Sequence, residues 1–113
     1  MKLPTVSTHI LDTARGRPAE GVPVTLEVMD DGKWQRVGKA VTGPDGRVSG
    51  LPPAGAAGPV SCRLVFAVRE YLVRAHGAAF FPEITVVFEA EPDEHYHVPL
   101  LLAPFGYTTY RGS

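Results

Sequence analysis

Four histidines, His9, His76, His95 and His97, and one arginine placed just after a tight turn, Arg47, are the side chains best suited to chemistry in this sequence. Imidazole is the one side chain that, unperturbed, both gives and takes a proton near neutral pH. A guanidinium can hold an anionic substrate through its planar fork of donors, or disfavour protonation of a histidine beside it. Spacing by itself favours a plainer reading. His9 and His97 stand at opposite ends of the chain and Arg47 lies between them. Unless the fold gathers them, they are solvated histidines and a strand-edge charge.

Other chemistries lack their residues. There is no phosphate-cradling glycine-rich loop and no Gly-x-Ser-x-Gly elbow. His95 and His97 form an i,i+2 pair that would need further ligands to hold a metal. His9 could add one, but nothing marks a dedicated zinc site, and no metal is expected. Cys62 alternates with Leu64 and Phe66 and reads as a buried small hydrophobe, while Trp34 reads as packing. The single cysteine excludes an intrachain disulfide.

Lys plus Arg is 11 against 12 Asp plus Glu, a net charge of -1, so no positive field draws in nucleic acid or an anionic membrane. No apolar run approaches the about 20 residues of a membrane helix. The first residues lack the apolar stretch of a secretory signal, and the last do not form a peroxisomal address. The expected setting is the reducing cytoplasm.

What must position these residues is a set of short strands. The 113 residues suit one domain, 1–113, with 44% apolar and 20% charged content typical of a folded protein. Eleven prolines and twelve glycines cut the chain into short pieces, which predicts an all-β sandwich or barrel. Val22, Val24, Leu26 and Val28 share one face of a strand; Cys62, Leu64, Phe66 and Val68 share another. Ile84 to Glu89 is rich in β-branched residues, and Lys33 to Val41 holds a strand or two around Gly38. Gly43-Pro44-Asp45-Gly46 is a turn. Arg69 to His76, stopped by Gly77, is one short helix.

In Val6 to Leu11, Ile10 faces inward if the segment is a strand, and His9 faces outward with Ser7 and Leu11. In His95 to Leu102, residues Tyr96, Val98, Leu100 and Leu102 take one face and His97, Pro99 and Leu101 the other. Tyr107 to Tyr110 returns as an antiparallel neighbour after the turn Ala103 to Gly106. Both faces of the 95–102 strand carry apolar residues. A lone sandwich would expose one of them, so a homo-oligomer is expected. Nothing functional can be placed on the alanine- and glycine-rich loop Pro52 to Pro59.

Four ordered motifs carry a resemblance. They are Thr8-His9-Ile10-Leu11-Asp12-Thr13-Ala14 with Gly16 and Pro18-Ala19, then Thr42 to Arg47, then Phe80-Phe81-Pro82-Glu83, then His95 to Leu102 followed by Gly106-Tyr107-Thr108-Thr109 and Tyr110-Arg111-Gly112-Ser113. From about Ser7 to Ser113 the sequence resembles the transthyretin-related family, and within it the branch that hydrolyses 5-hydroxyisourate. The final Tyr-Arg-Gly-Ser is the mark of that branch. Thr108 and Ala103 stand where serine is frequent, both small replacements.

The resemblance implies a transthyretin-like β-sandwich of about eight strands with one short helix. It implies a homotetramer with active sites in channels at the dimer–dimer interface. The implied reaction is hydrolysis of 5-hydroxyisourate, a small-molecule substrate, to 2-oxo-4-hydroxy-4-carboxy-5-ureidoimidazoline, without a cofactor. The family's catalytic residues fall on His9, Arg47 and His97, not on His95. Its terminal tyrosine falls on Tyr110, with Arg111, Gly112 and Ser113 completing the pocket wall, and Pro99, Leu101 and Thr108 would line the channel. Either histidine could be the base. Two other readings follow from the same fold: a transthyretin-like carrier that binds a ligand without chemistry, and a structural sandwich module.

Overall fold

The computed structural model describes residues 2–48, 50–55 and 58–113; Ala56 and Ala57 of the 52–59 loop lie outside the described residues. The elements are β1 (Thr5–Asp12), β2 (Arg17–Pro18), β3 (Pro23–Asp30), β4 (Lys33–Val41), β5 (Arg47–Val48), β6 (Val60–Phe66), α1 (Arg69–His76), β7 (Ile84–Ala90), β8 (His95–Ala103) and β9 (Gly106–Thr109). One sheet has the order β4-β3-β6-β7, all antiparallel. The other has the order β2-β1-β8-β9, with β5 also paired to β1.

Period-two alternation builds the core. β1, β3, β6 and β8 send every second side chain inward. Val24, Leu26, Cys62, Leu64 and Phe66 of one sheet are fully buried, as are Ile10 and Leu100 of the other. Burying such side chains contributes about 1.5–3 kcal/mol each relative to exposure. Tyr96, Val98, Leu100 and Leu102 of β8 all take the core face, as the sequence pattern predicts.

Three local expectations are sharpened. β6 ends at Phe66, and Val68 is buried as the N-cap of α1 rather than as a strand residue. Lys33 to Val41 is a single strand with a bulge: Leu26 pairs with Gly38 and Glu27 with Arg36, which leaves Val37 without a partner. The strand count among the described residues is nine, because β2 and β5 are two-residue strands that pattern cannot register. α1 has the expected bounds, with Gly77 in the left-handed conformation (φ 76) donating its amide to Val73 O.

β1 ends in a buried carboxylate that ties it to α1. Asp12 Oδ1 accepts the amides of Ala14 and Arg15 at 3.0 Å each, and Oδ2 lies 2.7 Å from both Tyr71 Oη and His76 Nε2. Burial alone would raise the Asp12 pKa. The hydrogen bonds from Tyr71, His76 and the Arg15 amide, with the charge of His76, outweigh it and hold the carboxyl below its ordinary 3.8. A carboxyl more acidic when folded than when unfolded stabilises the protein above its unfolded pKa. That contribution disappears as pH falls through the lower, folded value. Asp12→Asn is therefore expected to cost about 2 kcal/mol at neutral pH. It should also flatten the acid side of the Tm-against-pH curve, read by thermal unfolding from about pH 7 to about pH 3.

Candidate active site

The pairing of β1 with β8 is parallel and joins the two ends of the chain. Its register sets Ser7 beside His97, His9 beside Pro99 and Leu11 beside Leu101. Residues paired in register point to the same side, so His9 and His97 share the outward face of this sheet. The other edge of β1 is divided between β5 and β2. There Arg47 of β5 pairs directly with His9.

The turn before β5 makes that last pairing. Gly46 donates to Gly43 O at 2.8 Å and accepts the Ile10 amide at 2.9 Å, which locks the turn onto β1. A Cβ on Gly46 would lie 2.5 Å from Ile10 O, and its φ of +74 also demands glycine. Asp45 Oδ1 accepts the Arg47 amide at 3.0 Å and steadies the step into the strand.

Pro99 sits within β8 without disrupting it. Its carbonyl accepts Thr109 Oγ1 at 2.8 Å, so the edge where its N–H is missing is the β9 edge, and the β8–β9 ladder stops at Leu100. Beyond β9 the chain keeps running along β8. Gly112 bridges to His97 and donates its amide to His97 O at 2.7 Å. A Cβ on Gly112 would lie 2.7 Å from His97 Cδ2 and 3.3 Å from Pro99 Cγ. Only glycine lets the chain seal this close, and it buries Pro99 from the outside. Part of the apolar outward face of β8 is thus covered within one chain.

The result is an open-sided cavity of about 370 Å³. His9, Arg47, His97, Pro99, Leu101, Tyr110, Gly112 and Ser113 line it together with Leu11. Two of the sequence candidates go elsewhere. Thr108 is opposite Leu101 in register but is exposed and does not line the cavity. Arg111 turns away: its guanidinium lies 4.4 Å over the Tyr96 ring and 3.3 Å from Glu94 Oε1. Consecutive residues of an extended segment point to opposite sides, so Tyr110 and Arg111 cannot both face the cavity. Leu11 was legible as a lining residue from its parity with His9. Ser7, whose Oγ lies 2.8 Å from His97 Nδ1, carries no sequence signal of that contact.

His97 is half-buried, and its pKa is lowered from the ordinary 6.5 by burial first, then by the charges of Arg47, His9 and His95. It is therefore a neutral imidazole at pH 7, able to accept a proton. Its Nδ1 is engaged by Ser7, and Nε2 has no protein partner among the described residues. A neutral base and a guanidinium fork beside the apolar side chains of Leu11, Pro99 and Leu101 suit attack of water on a polarised carbonyl. Among the described residues, no three of His, Cys, Asp and Glu are grouped to hold a metal ion.

A model of the HIUase/Transthyretin family matches residues 6–112. A 5-hydroxyisourate hydrolase of Salmonella typhimurium is 46% identical over 109 residues, which cover 96% of this chain and 80% of that protein. The solved structure of Klebsiella pneumoniae 5-hydroxyisourate hydrolase superposes with a TM-score of 0.78 at 34% identity, covering 100% of this chain and 96% of the other. Sea bream transthyretin in complex with thyroxine superposes with a TM-score of 0.86 at 30% identity, covering 95% of this chain and 93% of the other.

Proposed function

The chain belongs to the HIUase/Transthyretin family, and from that premise we infer how it works: it hydrolyses 5-hydroxyisourate in urate degradation, and His9, Arg47 and His97 carry the reaction. The observation that supports this assignment of residues is their convergence on one cavity from β1, β5 and β8. A carrier needs no proton-transfer groups, and the proton-transfer set is what this cavity holds.

The substrate is a polar bicycle with a hydrolysable ring amide. His97, neutral and with Nε2 unengaged, takes a proton from water as that water attacks the ring carbonyl carbon. Arg47 holds the ring oxygens and receives the charge that develops on the carbonyl. His9, between Arg47 and Pro99, orients the water or protonates the departing nitrogen. Tyr110, Gly112 and Ser113 complete the lining beside Pro99. The product is 2-oxo-4-hydroxy-4-carboxy-5-ureidoimidazoline.

The reading extends to a homotetramer in a cytoplasmic setting, with the open side of the cavity closed by a second copy at a dimer–dimer interface. Phe80, Phe105 and Val87 are large apolar side chains left exposed on one chain, which favours association. The buried free thiol of Cys62 suits a reducing compartment.

The test is direct. 5-Hydroxyisourate made in situ from urate and urate oxidase is followed by its absorbance. The protein is expected to accelerate the decay in proportion to its concentration. A decay no faster than the spontaneous one would overturn the reading.

A further inference from the structure

The proposed reaction uses only one of the two ring nitrogens of His97. The other leads into a row of side chains that the proposed reaction has not used. Thr5 and Ser7 on β1 stand in register with His95 and His97 on β8, all four on the outward face. Thr5 Oγ1 lies 2.7 Å from His95 Nδ1, Ser7 Oγ lies 2.9 Å from His95 Nε2, and Ser7 Oγ lies 2.8 Å from His97 Nδ1. Of the four imidazole nitrogens in this row, three are engaged, and the fourth is His97 Nε2, on a ring that lines the cavity.

We propose that Ser7 and His95 are positioning residues that set which nitrogen of His97 carries the proton, through an unbroken hydrogen-bonded row running from the cavity to the exposed His95–Thr5 end. The inference rests on the reading of His97 as the base.

Hydrogen counting carries the argument. A serine hydroxyl has one proton, so Ser7 donates to only one of its two imidazole neighbours, and the other must donate to Ser7. The tautomers of His95 and His97 are therefore coupled. With both rings neutral, two polarities satisfy all three contacts. In one, His97 Nδ1–H donates to Ser7, Ser7 donates to His95 Nε2, and His95 Nδ1–H donates to Thr5. His97 Nε2 is then a bare lone pair, the form a base needs. In the other polarity every donor and acceptor is exchanged, and His97 Nε2 carries a proton it can give.

The same row offers a way out for a proton. Opening a ring amide to a carboxylate puts one proton of water on the departing nitrogen and releases the other. After His97 Nε2 takes a proton, Nδ1–H passes to Ser7 Oγ as the Ser7 proton passes to His95 Nε2. His95 Nδ1–H then leaves to solvent at the exposed end. The row is left in its second polarity, with one proton gained at the cavity and one lost at the surface. When His97 Nε2 gives its proton to the departing nitrogen, the Ser7 proton passes to His97 Nδ1, the His95 Nε2 proton to Ser7, and His95 Nδ1 takes one from solvent, which restores the first polarity; the second proton of the attacking water leaves with ionisation of the new carboxyl.

Nitrogen-15 NMR of the histidine rings reads the tautomer directly, with no turnover required. Arg47 lines the cavity beside the His97 ring and disfavours a proton on Nε2, so in the wild-type protein His97 is expected to show one tautomer, protonated at Nδ1. In Ser7→Ala it should become a mixture, with kcat lowered about tenfold or more and KM changed by less than about twofold. Ser7→Thr keeps the hydroxyl, suits a strand, and should restore both. His95→Phe, at an exposed position, should relax the His97 tautomer and lower kcat without depending on any core contact. A single His97 tautomer and wild-type kcat in Ser7→Ala and His95→Phe would overturn the proposal. A lowered kcat with the tautomer unchanged would also overturn it, since Ser7 would then act only on structure. Full activity of His97→Asn is a separate result: it removes the base and with it the reading on which this inference rests.

Discussion

Asparagine at position 97 is expected to lower kcat for 5-hydroxyisourate by about 10²–10⁴-fold, the contribution of a well-placed general base. The amide is close to imidazole in size and its Nδ2 or Oδ1 can still meet Ser7 Oγ, so the fold and the β8 register should survive. It cannot take a proton from water at neutral pH. The loss should therefore fall on kcat and kcat/KM together, with little change in KM.

The acid side of the pH profile gives a second mark of the same residue. A base works only when neutral, so kcat/KM falls as pH drops through its pKa. Burial, then Arg47, His9 and His95, hold the His97 value below 6.5, so that fall is expected on the acid side of 6.5. The groups that face His97 are His9 from β1, Arg47 from β5, His95 from its own strand and Tyr110 from the segment after β9. Stopped-flow decay of in situ substrate at stepped pH checks both points. A His97→Asn protein with wild-type turnover, or with its acid limb unmoved, would take His97 out of the mechanism.

Removing residues 110–113 is expected to reduce activity at least about 10²-fold, because it dismantles the wall that excludes water and fixes the base. Tyr110, Gly112 and Ser113 leave the cavity, the bridge from Gly112 to His97 is lost, and Pro99 is uncovered. The His97 ring becomes better solvated, which weakens the burial that lowers its pKa. Folding should persist. None of these residues belongs to the buried core, and Tyr110, Arg111 and Ser113 are exposed. Circular dichroism and thermal unfolding of the shortened chain separate lost activity from lost structure. Gly112→Ala is the minimal version: one methyl aimed at His97 Cδ2 should displace the ring with the rest of the wall in place. Shortened protein that turns over substrate at the full rate would show that the wall has no part in catalysis.

Much of the scaffold was legible because its signals are local. Alternation along Val22 to Val28 and along His95 to Leu102 depends only on the two-residue period of a strand, and burial follows it. The helix 69–76 was bounded by Gly77, whose left-handed conformation ends it. β2 and β5 were not legible, since two residues carry no period, yet β5 is the strand that delivers Arg47. The bulge at Val37 likewise depends on the partner strand and not on its own residues.

The site divides in the same way. Parity along each strand put His9 on the outward side of β1 and His97, Pro99 and Leu101 on the outward side of β8, and motif resemblance singled out Arg47 and the residues from 110 to 113. Thr108 keeps the parity of Leu101 but lies outside the cavity, and Arg111, singled out by resemblance, turns away from it. What tertiary structure alone decided is that β1 and β8 lie parallel, in the register that sets Ser7 against His97, and that His9 is flanked by Arg47. A strand's own residues determine which way its side chains point. Which strand lies beside it, and at what offset, is decided by the packing of two whole sheets, and it is that offset that brings the two imidazoles, Ser7 and Arg47 to one side of the sheet.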